Sequence, residues 1–223
     1  MSKSIVLMSG GLDSVVSLAL TKENLNVTMG LTFDYGQKSL AQEINASEKI
    51  CDYYNLTHKV IKLDWLNEIT NSSLVSNESV PQDDLGTENS MKSVWVPNRN
   101  SLFLNIAGAF ADSYNFTHII FGANAQEAKT FPDNTPEFLE KINKTFEKST
   151  LVKPVVVAPL INYYKDDIVK LALENNVPLE FVRSCYNNAK KNCGKCESCI
   201  NLKKAIINNN KQELLEILFD DEN

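Results

Sequence analysis

The chain has 223 residues, 43% of them hydrophobic and 22% charged, with only 8 Gly and 7 Pro. That suffices for one sizeable core and a small appendage, and it excludes a disordered or fibrous chain. A net charge of -6 at pH 7 and a pI near 5.1 exclude a protein whose main work is coating nucleic-acid phosphates, because that needs a concentrated basic face.

The opening MSKSIVLMSGG holds too short an apolar run for a signal peptide, and no run approaches the roughly 20 residues that span a bilayer. The expected location is the cytoplasm, with no membrane partner. Runs rich in β-branched residues over 4–8, 27–33, 59–63, 118–121 and 154–157 predict strands. Helical spacing follows over 14–22, 39–54, 101–114, 136–148 and 165–175; in the second of these, Leu40, Ile44, Ser47, Ile50, Cys51 and Tyr54 share one face. Strand and helix in alternation, with the strands apolar on both faces, predict an α/β fold built on a doubly wound, mostly parallel sheet covered by helices. In such sheets ligands bind beyond the carboxyl ends of the strands where the strand order reverses, so the loops after the strands are the places to search. Residues 71–94 are polar and lack periodicity; a mobile flap near the site and a tolerated surface insertion are the two readings. After Arg183 the texture changes to SCYNNAKKNCGKCESC, followed by a Leu/Ile-spaced helical tail with the acidic end LFDDEN.

Between the first strand and the first helix lies Met8-Ser9-Gly10-Gly11-Leu12-Asp13-Ser14. A loop there presents free backbone N–H groups and the positive end of a helix dipole, which together favour a phosphate or pyrophosphate. Gly10 and Gly11 allow close approach, Ser9 and Ser14 can add hydroxyl donors, and Asp13 can cap the helix or help to hold Mg²⁺. No lysine stands where a Walker loop needs one, and the spacing is not G-x-G-x-x-G. A plain glycine turn is the other reading of the stretch. The SGGLDS segment resembles the pyrophosphate loop of the adenine nucleotide α-hydrolases. That resemblance implies ATP, split to AMP and pyrophosphate, as the means of activating an oxygen that a nitrogen or sulfur nucleophile then displaces.

Of five cysteines, Cys185, Cys193, Cys196 and Cys199 cluster as C-x7-C-x2-C-x2-C. In a reducing compartment, clustered thiols point to metal rather than disulfides, and four soft ligands suit tetrahedral Zn²⁺. Gly194 helps the knuckle turn, and Lys190, Lys191 and Lys195 offset the thiolate charge. An iron–sulfur cluster is the alternative. With every position filled by protein, the expected role is structural, pinning the C-terminal tail to the core. Cys51, on the apolar face of its helix, reads as core packing.

Further motifs follow in order: Phe33-Asp34-Tyr35-Gly36-Gln37, Val96-Pro97-Asn98-Arg99-Asn100, Pro132-Asp133, Pro159-Leu160 with Lys165, and Ser184-Cys185-Tyr186 leading into the knuckle. Together they resemble the 7-cyano-7-deazaguanine synthase family over nearly the whole chain. The resemblance implies conversion of 7-carboxy-7-deazaguanine and ammonia to the nitrile at the expense of ATP, on the route to the tRNA bases queuosine and archaeosine. It also implies a small-molecule substrate without direct nucleic-acid binding, a homodimer, and a division into an ATP-binding α/β domain (1–182) and a zinc-binding helical extension (183–223). A carboxylate is inert because its leaving group would be oxide, so phosphoryl or adenylyl transfer must come first. In that scheme the loop residues Met8 to Ser14 hold the phosphates, and Lys165 and Arg99 add positive charge as transfer proceeds. Taken singly, Lys165 could be a solvated helix start and Arg99 a structural ion pair. Asp34, Gln37 and Asp133 are candidates for reading the deazaguanine edge, although each could be a turn or capping residue. The stretch Glu127-Ala128-Lys129-Thr130-Phe131-Pro132-Asp133-Asn134, together with Asn201 and Lys203, departs from that family's pattern, which leaves a related carboxylate as a second substrate reading. A tRNA-thiolating or tRNA-amidating relative and a non-catalytic zinc module on an α/β scaffold are the rival functions. No glutaminase domain is visible, so free ammonia or a partner protein is the expected nitrogen source.

Overall fold

The computed structural model describes residues 2–220. Its centre is a five-stranded sheet of order β3-β2-β1-β4-β5, made of β1 (Lys3–Leu7), β2 (Val27–Asp34), β3 (Thr57–Lys62), β4 (Phe116–Ile120) and β5 (Val155–Val157). Every neighbouring pair runs parallel. The order grows outward from β1 in two directions, so the winding reverses between β1 and β4, and the crevice lies beyond their carboxyl ends. The doubly wound expectation therefore holds. Its premise of strands apolar on both faces holds for the centre, where Ile5, Val6, Ile119 and Ile120 are buried, but not at the edges, where Val60 is 38% and Val155 46% exposed.

The helices are α1 (Leu12–Thr21), α2 (Leu40–Tyr53), α3 (Asp64–Glu68), α4 (Glu88–Val94), α5 (Arg99–Tyr114), α6 (Ala125–Ala128), α7 (Pro136–Ser149), α8 (Lys165–Glu174), α9 (Glu197–Asn208) and α10 (Glu213–Leu218). α2 packs on β2 and β3, α5 on β4 and β1, and α7 on β5. α1 packs on α8, and α8 on α9, which ties the cysteine-bearing segment to the core. On α2, Ser47, Ile50 and Cys51 of the expected face are buried, with Leu40, Ile44 and Tyr54 half-buried.

Residues 71–87 hold no helix or strand, and Leu74 and Val94 line a cavity near the site, yet the stretch is packed against the body. Leu74 and Val80 are buried in the core, and α4 fills the end of the stretch. The serines meet backbone: Ser73 N donates to Ser93 O at 2.7 Å, and Ser72 Oγ donates to the same carbonyl at 3.1 Å. The tail is tied down by Asn192, whose Oδ1 accepts from Ser184 N and Cys185 N at 3.0 and 3.1 Å and whose Nδ2 donates to Leu218 O at 2.9 Å. Part of the acidic end read in LFDDEN, residues 221–223, lies outside the described residues. Among the described residues no helix is long and apolar enough to cross a membrane.

Candidate active site

Beyond the ends of β1, β2 and β4 opens a cavity lined in part by Met8, Ser9, Gly11, Leu12, Asp13 and Ser14. These residues carry the chain from β1 into α1. The first-turn amides of Leu12, Asp13 and Ser14 have no partner among the described residues, as the open end of a helix dictates, so the loop retains the donors an anion needs. Ser14 Oγ donates to Gly11 O at 2.9 Å and must turn from that carbonyl to reach a ligand; Ser9 Oγ lies 3.3 Å from Ser14 Oγ. Gly10 also has a packing task. Its φ is +72°, and a Cβ there would stand 2.6 Å from Ala46 Cβ, so this glycine lets α2 pack on the loop.

Asp13 does not cap α1, whose N-cap, Gly11, has no side-chain cap bond. It turns inward to Lys165, the first residue of α8: Nζ lies 2.5 Å from Asp13 Oδ2 and 3.1 Å from Glu127 Oε1. Burial raises the Asp13 carboxyl against the pull of Lys165. For Glu127 burial pushes the carboxyl up, and the attraction of Lys165, the neighbouring Asn124 amide and the charge of Arg99 together bring it below the usual carboxylate value. For Lys165 burial favours loss of the proton, and Asp13 and then Glu127 more than reverse this, so the group stays an ammonium. Two carboxylates around one ammonium leave a surplus of negative charge, and Asp13 Oδ1 is buried with no hydrogen-bond partner. That orphaned oxygen, together with Glu127, is a donor set that fits a hard cation such as Mg²⁺.

On the opposite wall Arg99 opens α5. Asn98 before it adopts a left-handed φ of 56°, a conformation asparagine tolerates better than most residues. Arg99 Nη1 donates to Tyr35 Oη at 3.2 Å. Arg99 and Glu127 also line a second, smaller cavity with Trp95, Phe131, Asp133 and Tyr186. The rings of Trp95 and Phe131 lie within 16° of parallel, centroids 5.7 Å apart. Burial raises the Asp133 carboxyl, while Arg99 pulls it down.

Of the residues singled out in the sequence, the loop, Lys165, Arg99 and Asp133 converge on these two cavities. Asp34 and Gln37 do not line either. Asp34 Oδ1 accepts from Gly36 N at 3.2 Å as a turn residue. The buried Gln37 amide is fully occupied: Oε1 accepts from Tyr35 N at 3.0 Å, and Nε2 donates to Phe33 O and Glu43 Oε2, each at 2.9 Å. Sequence reasoning missed Gly122, Asn124 and Glu127 as site builders. A Cβ on Gly122 would stand 2.9 Å from Ser14 N, and Asn124 Oδ1 accepts from Gln126 N and Glu127 N, both at 3.0 Å, to start α6. An asparagine three residues before a glutamate, just after a strand, was the available signal.

The four clustered cysteines hold their Sγ atoms within 4.8 Å of one another, with Cys193 and Cys199 sulfurs 3.9 Å apart. A tetrahedron of 2.3 Å zinc–sulfur bonds needs about 3.8 Å. Backbone amides of Asn187 and Cys193 point at Cys185 Sγ at 3.3 and 3.4 Å, which favours its thiolate, and those of Lys195 and Cys196 point at Cys193 Sγ at 3.4 and 3.5 Å. The residues fit one tetrahedral metal ion. Gly194 turns at φ +72° as expected, whereas Lys191 reaches away to Glu216 O at 2.7 Å. Cys185, Tyr186, Ser198 and Leu202 also line the main cavity, so the cysteine segment forms part of its wall.

In comparison with known proteins, residues 3–210 match the family model described as queuosine biosynthesis protein QueC. The 7-cyano-7-deazaguanine synthase of Methanosarcina barkeri is 44% identical, covering 97% of this chain and 99% of that protein. The enzyme of the same name from Carboxydothermus hydrogenoformans is 46% identical, over 92% of this chain and 98% of its own. Among solved structures, the NH3-dependent NAD synthetase from Campylobacter jejuni superposes with a TM-score of 0.50 at 18% identity, over 98% of this chain and 80% of that one, a likeness of fold. On the extent of the model match and of these identities, the chain belongs to the QueC family of queuosine biosynthesis proteins.

Proposed function

We propose that this protein is a 7-cyano-7-deazaguanine synthase, joining ammonia to 7-carboxy-7-deazaguanine with the expenditure of ATP. The observation that carries the reading is the near full-length match to synthases of that name, on a chain whose glycine loop leaves its amides open at the switch point of the sheet. The loop takes the polyphosphate of ATP, and the acid lies with its carboxylate toward the loop. Transfer of a phosphoryl or adenylyl group to a carboxylate oxygen makes that oxygen a leaving group; ammonia displaces it to give the amide. Repetition at the amide oxygen, with loss of both remaining N–H protons, gives the nitrile. Lys165 and Arg99 offset charge that develops in each transfer. Asp133, which lines the smaller cavity with Arg99, Trp95 and Phe131, would accept hydrogen bonds from the edge of a flat bicyclic base.

Asp13 and Glu127 would hold Mg²⁺, which neutralises phosphate charge when bound. Cys185, Cys193, Cys196 and Cys199 would hold Zn²⁺ as a structural ion, making 183–223 an extension that closes the cavity of the ATP-binding body, 1–182. Cytoplasmic location, a homodimer, action on a small molecule rather than tRNA, and service to queuosine or archaeosine rest on the family resemblance. The test is incubation with ATP, ammonium and 7-carboxy-7-deazaguanine, followed by mass spectrometry for the nitrile. A parallel sample with tRNA in place of the acid should remain unmodified. Nitrile formation supports the reading; ATP consumed only with another acid or with tRNA overturns it.

A further inference from the structure

We infer that Arg183 is a further phosphate-binding residue of the main cavity, holding the outer phosphates of the nucleotide and the pyrophosphate they become. The inference rests on the nucleotide reading above. Arg183 stands where the core passes into the cysteine segment, and it lines the same cavity as Gly11 to Ser14. It is only 7% exposed. Its backbone N donates to Gly10 O at 2.8 Å, which locks the residue to the glycine loop. Its guanidinium donates through Nη2 to Asn187 O at 2.6 Å, and its Nε is buried with no partner.

The charges around the cavity single this residue out. Lys165 is engaged by Asp13 and Glu127. Arg99 is bonded to Tyr35 and faces Asp133. Arg183 makes no ion pair with any carboxylate among the described residues. Burying a cation without a counter-charge is costly, and one carbonyl returns little of that cost. A phosphate group supplies the missing charge and matches the forked donors of a guanidinium, including the idle Nε. Backbone contacts with Gly10 and Gly11 fix the residue at the polyphosphate end of the cradle. The adenosine end gains nothing from it.

Calorimetric titration with pyrophosphate, with AMP and with an α,β-methylene ATP analogue, each with Mg²⁺, tests this. Metal content and melting temperature are measured on the same samples. Arg183→Met should weaken pyrophosphate and the ATP analogue by about 10- to 100-fold, the loss expected for hydrogen bonds to a charged partner, and leave AMP binding unchanged. Arg183→Lys, which keeps the charge and loses the fork, should fall between. Pyrophosphate affinity equal to wild type, or a parallel fall in AMP affinity, overturns the assignment. Where the methionine variant does not fold, the lysine variant carries the same two criteria. Wild-type protein that binds neither pyrophosphate nor the ATP analogue overturns the nucleotide reading itself, and Arg183 with it.

Discussion

Gly10 and Gly11 are adjacent in the chain and do different work, which single substitutions can separate. Gly10→Ala forces an L side chain into φ +72° and against Ala46. It should cost about 2–4 kcal/mol in urea unfolding, from backbone strain plus overpacking. Gly11 has an ordinary φ of -75°, and the nearest atom to an added Cβ is the Ser9 hydroxyl oxygen at 3.2 Å. Gly11→Ala should therefore shift stability by about 1 kcal/mol or less while weakening ATP binding, because the methyl group enters the cradle. Equal effects of the two variants on both readouts would contradict this division. Asp13→Ala removes a carboxylate that holds Lys165 in place, and kcat should fall at least about 100-fold; retained turnover would remove Asp13 from the chemistry. Residue types foretold a charged phosphate site, but not which side chains stay available. Gln37 and Asp34 read as free donors and acceptors, yet local backbone consumes them. Glu127 meets a lysine 38 residues away, and no local spacing reports such a contact.

At the scale of elements, the central strands were legible because burial on both faces imposes continuous apolar runs. The edges and the stretch 71–94 were less so, since β3 is half exposed and buried serines such as Ser72 and Ser90, whose hydroxyls bond carbonyls, look like loop. The pairing of β2 with β3 also builds a pH-sensitive contact. Thr32 Oγ1 donates to Met8 O at 2.6 Å, so its lone pair receives Nε2–H of His58 at 2.8 Å. Burial lowers the His58 pKa below its ordinary 6.5. A depressed histidine contributes stability that is present above the unfolded pKa and is lost as pH falls below it, because the unfolded chain takes the proton more readily. Between pH 7.5 and 5.5 the melting temperature of His58→Gln should drop less than that of the wild type. An identical or steeper drop would contradict burial of His58 as the source of the pH dependence. The left-handed Asn98 that launches α5 is tested by Asn98→Val, expected to cost about 1–2 kcal/mol, while Asn98→Gly stays near neutral.

At the scale of the molecule, the cavity is assembled from both ends of the chain: Lys165 reaches Asp13 across 152 residues, and the cysteine segment supplies part of the wall. The convergence of the four cysteines was legible from spacing alone, whereas their place in the cavity wall needed the packing of α9 on α8. Removing the metal with a chelator should lower the melting temperature and weaken ATP binding together, with one zinc released per chain by elemental analysis. Absorption near 400 nm with iron in place of zinc would instead identify a cluster. The central claim, that this fold spends ATP to turn a carboxylate oxygen into a leaving group, is tested most directly with 7-carboxy-7-deazaguanine labelled with ¹⁸O in its carboxyl group. Mass spectrometry should find the nitrile free of label and the ¹⁸O in AMP or phosphate; label released only to water, or no nitrile at all, would contradict it.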